Sequence, residues 1–107
     1  MNYISNAFSL QMVIPSNYYL LVEEVTKLPE EGISCIGHAD TARVLGLPYN
    51  RQPITLEFGD TLYVAQLVGG RLPEGCKTLP AGYTFRFYRI KILPSNFEEL
   101  IVSGMPY

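Results

Sequence analysis

Ile33-Ser34-Cys35-Ile36-Gly37-His38-Ala39-Asp40-Thr41-Ala42-Arg43-Val44-Leu45-Gly46 decides the fold class. A short apolar run leads through Gly37 into good helix formers, which stop at a glycine suited to a helix C-terminus. His38 therefore falls at or near a helix N-terminus. Around this segment the chain reads as strands. Residues 2–8 make a first one. Tyr18 to Val25, rich in β-branched and aromatic residues, makes a second. Residues 54–58 and 61–67 flank Gly59-Asp60 and predict an antiparallel hairpin with a tight turn. Residues 84–93 predict a last long strand, with Phe85 and Phe87 in one phase and Ile90 and Ile92 in the other, which implies either a bulge or burial on both sides. Residues 9–17 and 27–32 read as a loop and a turn, 69–75 as an irregular loop, and 96–102 as one helical turn capped by Ser95 or Asn96. The expected fold is α+β (mixed α/β), with a central mixed sheet of about five strands and few short flanking helices.

Length and composition agree with one domain over residues 1–107. Hydrophobic residues make up 48% but come in short runs, none near the roughly 20 apolar residues of a membrane span. The N-terminus shows no basic region followed by an apolar one, so the expectation is a cytoplasmic protein without membrane attachment. A net charge of −2 argues against broad binding to DNA or RNA, which needs a basic face to release counterions. A small anion held by one or two cations fits that charge. Cys35 and Cys76 lie outside any Cys-x-x-Cys pattern, and one histidine is too few to complete a site with them. Both thiols are expected reduced and partly buried, with no metal and no cofactor.

Three places could carry chemistry. His38, the sole histidine, stands where free backbone amides favour an anion beside an imidazole able to move protons. A capping or packing histidine is the plainer alternative. Arg71 and Glu74 flank Leu72-Pro73 in a glycine-rich loop, so a guanidinium that can fork onto a phosphate and a carboxylate could face one site. A solvated turn is the alternative there. Asn6-Ala7-Phe8-Ser9 ends the first strand with polar, small and aromatic residues, where ligand loops gather, or simply turns. Walker loops, Gly-x-Gly-x-x-Gly, His-Glu-x-x-His and Gly-x-Ser-x-Gly are all missing from the sequence.

Taken in order, Asn6-Ala7-Phe8-Ser9, Ile36-Gly37-His38-x-x-Thr41-Ala42, and Gln66 with Arg71-Leu72-Pro73-Glu74-Gly75 resemble the motif set of the viral ring nucleases. These are small type III anti-CRISPR proteins of viruses and mobile elements. The resemblance implies a homodimer that binds cyclic tetra-adenylate across its interface and opens the ring without a metal. It makes His38, Arg71 and Glu74 the catalytic residues and Ser9 a phosphate contact. Asn6, Ala7, Phe8, Gly37, Thr41 and Gln66 are the further ligand-binding residues it implies. The segments 26–36 and 76–82 are shorter than the family pattern. In the chemistry so implied, a ribose 2′-hydroxyl attacks its own phosphate, His38 protonates the departing 5′-oxygen, and Arg71 meets the developing charge. Two other readings remain open: a protein that sequesters the cyclic nucleotide uncut, and a small interaction domain of a mobile element.

Overall fold

The computed structural model describes residues 1–95. In chain order they form β1 (Asn2–Ser5), a 3₁₀ turn (Leu10–Met12), β2 (Tyr18–Val25), β3 (Ile33–Ser34), α1 (Ala39–Leu45), β4 (Thr61–Val68) and β5 (Thr84–Pro94). The five strands make one sheet in the order β2-β5-β4-β1-β3. β1 runs parallel to both β3 and β4, while β5 runs antiparallel to both β2 and β4. The fold is thus a single α+β domain around a five-stranded mixed sheet. The turn expected at 96–102 lies outside the described residues.

Each face of the sheet carries its own core. On one, Leu62 and Val64 of β4 and Ile90 and Ile92 of β5 bury with Leu56, and Phe8, Met12 and Val13 pack over them. On the other, Ile4 of β1 and Ile36 meet Ala42 of α1. A seven-residue helix is too short to hold in water by propensity alone, so this contact and its two caps maintain it. His38 accepts the Thr41 main-chain N–H at one end. At the other, Gly46 turns left-handed at φ 71° and donates to the carbonyls of Ala42 and Arg43, a conformation that glycine adopts without the steric cost of a Cβ.

The structure corrects two expectations about strands. The first strand stops at Ser5 rather than residue 8, because the Ser5 hydroxyl accepts the Ala7 N–H at 3.3 Å and turns the chain out of the sheet. Residues 54–58 are not the partner of β4. Both edges of β4 are taken, by β1 and β5, so this segment lies over the core instead. There Leu56 exchanges backbone bonds with the 3₁₀ region: its N–H donates to Met12 at 2.7 Å and its carbonyl accepts from Ile14 at 2.9 Å. β5 pairs in unbroken register with both neighbours, so its change of apolar phase reflects burial on two sides. Phe85 and Phe87 stack on each other, with centroids 6.2 Å apart, while Ile90 and Ile92 enter the core.

Candidate functional site

β1, β3 and β4 are parallel, so their carboxyl ends come out on one side of the sheet. That is where ligands enter open sheets of this kind. Asn6 follows β1, Gly37 and His38 follow β3, and Arg71 follows β4. A cleft of about 220 Å³ forms there, lined by Asn6, His38, Thr41, Ala65, Leu67, Arg71 and Leu72. β4 runs beyond the last β1 pairing, Ser5 with Val64, and this overhang supplies Ala65 and Leu67 as the floor. Leu72, 5% exposed, plugs the loop that carries Arg71 into the apolar interior.

Hydrogen bonds fix the rim. The Gly37 N–H donates to Asn6 Oδ1 at 3.3 Å and ties the end of β1 to the start of the helix. Thr41 meets His38 twice: its main-chain N–H donates to Nδ1 at 3.3 Å, and its hydroxyl lies 3.2 Å from the same nitrogen. A neutral ring accepting at Nδ1 carries its proton on Nε2, and His38 itself is exposed. Outside the cleft, Asp40 Oδ1 accepts the Gly75 N–H at 3.2 Å and an Arg43 guanidinium hydrogen at 2.7 Å. Arg43 reaches on to the Cys76 carbonyl at 3.4 Å. The other end of the loop is held by Tyr83, whose hydroxyl donates to the Arg71 carbonyl at 2.9 Å. Gly69 makes this approach possible, since a Cβ there would fall 2.9 Å from the Gly82 carbonyl oxygen at a φ of +124°.

The structure thus brings Asn6, His38, Thr41 and Arg71 to one cleft. Gly37 contributes its backbone N–H to the rim. Ala7, Phe8 and Gln66 line a neighbouring pocket of about 530 Å³ with Val22, Val64, Tyr88 and Ile90, and Asn6 is common to both. Val64 and Ile90 belong to the core on the face away from α1, so the two pockets open on opposite faces where β1 ends. Ser9 caps the 3₁₀ turn, its hydroxyl accepting the Gln11 N–H at 3.3 Å. Glu74 is exposed and does not line the cleft, although its neighbour Gly75 is bound to Asp40. Asp40 itself is not legible as a site residue, because a carboxylate in a first helical turn reads as an ordinary complement to the helix end.

Among the described residues no group of three or more His, Cys, Asp or Glu could hold a metal ion, and no helix is long and apolar enough to cross a membrane. Cys35 and Cys76 are free thiols. Burial pushes the Cys35 thiol above its ordinary value, which keeps it protonated and unreactive.

A family model described as STIV B116-like matches residues 2–81. Among solved structures, B116 of Sulfolobus turreted icosahedral virus (STIV) shares the fold with a TM-score of 0.66 and 21% identity, over 84% of this chain and 97% of that one. No curated protein matches the sequence.

Proposed function

The chain belongs to the STIV B116-like family, and on that premise we propose that its His38 cleft binds a cyclic oligoadenylate, probing one phosphodiester at a time, and cuts it without a metal. One observation carries the reading. An imidazole whose Nδ1 is engaged by Thr41 and a guanidinium, from segments 33 residues apart by number, line the same small cleft. That pair is what a self-cleaving ribose phosphate needs from a protein. The substrate brings the nucleophile, so the protein must only hold the 2′-hydroxyl in line, meet the charge that develops on phosphorus and supply a proton to the leaving oxygen.

In this reading the 2′-oxygen bonds to phosphorus as the bond from phosphorus to the 5′-oxygen breaks. The products are a 2′,3′-cyclic phosphate and a free 5′-hydroxyl. Protonated His38 gives its Nε2 proton to that 5′-oxygen, a contribution typically worth about 10²- to 10⁴-fold. Arg71 bonds the non-bridging phosphate oxygens. Glu74, exposed at the tip of the same loop, orients the 2′-hydroxyl once a ligand is bound, and the proton lost from that hydroxyl passes to its carboxylate and on to solvent. A cleft of about 220 Å³ admits a phosphodiester with part of its ribose, not a ring of four nucleotides. The remainder of the ring is then covered by a second copy, and a symmetric homodimer presents two equivalent sites. Countering type III CRISPR signalling in a host cytoplasm is the biological role that follows.

The sequestering alternative is favoured by one feature, that the His38 ring serves α1 as its cap. Incubation with labelled cyclic tetra-adenylate, with separation of ring from linear product and light scattering of the complex, decides between the two. Linear product from a dimer supports the nuclease. Retained, uncut ring supports sequestration, and no association removes both.

A further inference from the structure

We infer that the Thr41 hydroxyl is the positioning group that lets His38 switch Nδ1 from acceptor to donor, so that one ring both caps α1 and carries the proton it delivers. The inference rests on the reading of His38 as the acid. Two Thr41 groups reach the same nitrogen, the main-chain N–H at 3.3 Å and the hydroxyl oxygen at 3.2 Å. They are not equivalent. The N–H can only donate, so it suits a neutral ring with a lone pair on Nδ1. A ring protonated on both nitrogens has a hydrogen there instead, and the N–H then opposes it. The hydroxyl can do either, because its hydrogen rotates away and leaves an oxygen lone pair to accept.

Thr41 is 5% exposed, so water does not readily take the place of that oxygen. The ring then keeps its orientation in both protonation states and leaves Nε2 to serve the cleft that His38 and Arg71 line. A solvent proton adds to Nδ1 and stays there, the new N–H donating a hydrogen bond to Thr41 Oγ1. Nε2 gives its proton to the departing 5′-oxygen, which leaves a neutral ring protonated on Nδ1. Nε2 then takes a proton from water and Nδ1 returns one, restoring the capping form.

The test compares Thr41→Val, which keeps the branched shape and the backbone N–H, with Thr41→Ser, which restores the hydroxyl. Single-turnover opening of cyclic tetra-adenylate and its Kd are measured for both variants and the parent. The nitrogen resonances of the imidazole are recorded without ligand; His38 is the sole histidine, so they need no assignment. The neutral parent ring is expected to be protonated on Nε2, and so is the Val variant, which shows that the cap and fold survive. At saturating ligand Thr41→Val should lose about 10- to 100-fold in single-turnover rate, the worth of a hydrogen bond to a charged group, beyond any change in Kd. Thr41→Ser should recover most of that rate. A Val variant that turns over like the parent, a parent ring protonated on Nδ1, or loss of affinity that Ser does not rescue would each overturn the inference. A parent that opens no ring defeats the nuclease reading, while the nitrogen spectrum still decides the contact by itself.

Discussion

The Asp40 carboxylate accepts the main-chain N–H of Gly75 at 3.2 Å across 35 positions of sequence. This bond fastens the loop bearing Arg71 to the first turn of the helix bearing His38. The same oxygen also holds Arg43, three residues further along the same helix. Asp40→Ala should therefore speed hydrogen exchange at the Gly75 amide and weaken binding of cyclic tetra-adenylate, with Asp40→Asn intermediate because its amide oxygen still accepts. If Asp40 acts through Arg71, the loss of affinity in Asp40→Ala should vanish in an Arg71→Ala background, since coupled residues are not additive. Unchanged exchange at Gly75 in Asp40→Ala counts against the clamp.

Leu56 is wholly buried although it lies in no strand. Leu56→Ala should destabilise the protein by about 2 to 5 kcal/mol, as for other large-to-small core changes. Chemical denaturation measures this directly. A cost below 1 kcal/mol, on the scale of ordinary surface substitutions, would mean that the 54–58 segment does not seal the core.

How far the sequence discloses the fold depends on whether local pattern or tertiary pairing sets each element. Tyr18–Val25 and the helix after His38 follow from residue type, and both stand as read. The 54–58 segment has the composition of a strand but finds both edges of β4 occupied, a fact no local window contains. The site divides the same way. His38 at the cap is legible from Gly37 and the helix formers that follow, but its meeting with Arg71 depends on β1 lying between β3 and β4. The separation of His38 and Arg71 from Phe8 and Gln66 into two pockets that share Asn6 depends on where β1 ends. Ser9 and Glu74, placed by motif, acquire no contact to the cleft from the strand order.

The two thiols should differ in reactivity. Cys35 is buried and held protonated, whereas Cys76 is half-exposed. In native protein an alkylating reagent should modify Cys76 first, and Cys35 only at the rate of opening. Peptide mass mapping of partly labelled protein reads the order, and equal labelling would contradict the burial.

Glu24 of the edge strand β2 and Arg86 of its neighbour β5 form a two-pronged pair, both bonds at 3.0 Å. The Arg86 hydrogen bonds hold the Glu24 carboxyl below its ordinary value of 4.5. A carboxylate lowered in the folded state adds stability above 4.5, and that contribution is lost as pH falls through the lowered value. Both side chains are exposed, so the effect is small. The difference in Tm between the protein and Arg86→Ala should shrink as pH drops below 4.5. A difference that grew on acidification would reverse the sign.

Single-turnover opening of cyclic tetra-adenylate in excess EDTA, compared between the parent and His38→Ala, tests the central claim most directly. Both proteins are first shown to be folded and dimeric, and Kd is measured on each. An acid acts chiefly when the leaving oxygen gains charge, so its removal belongs in the chemical step and not in ground-state affinity. The account predicts linear product from the parent in chelator, ending in a 2′,3′-cyclic phosphate, and a rate for His38→Ala lower by about 10²-fold or more at nearly unchanged Kd. Opening of the ring by His38→Ala at the parent rate, or a parent that is silent in EDTA and restored by a divalent ion, would contradict it.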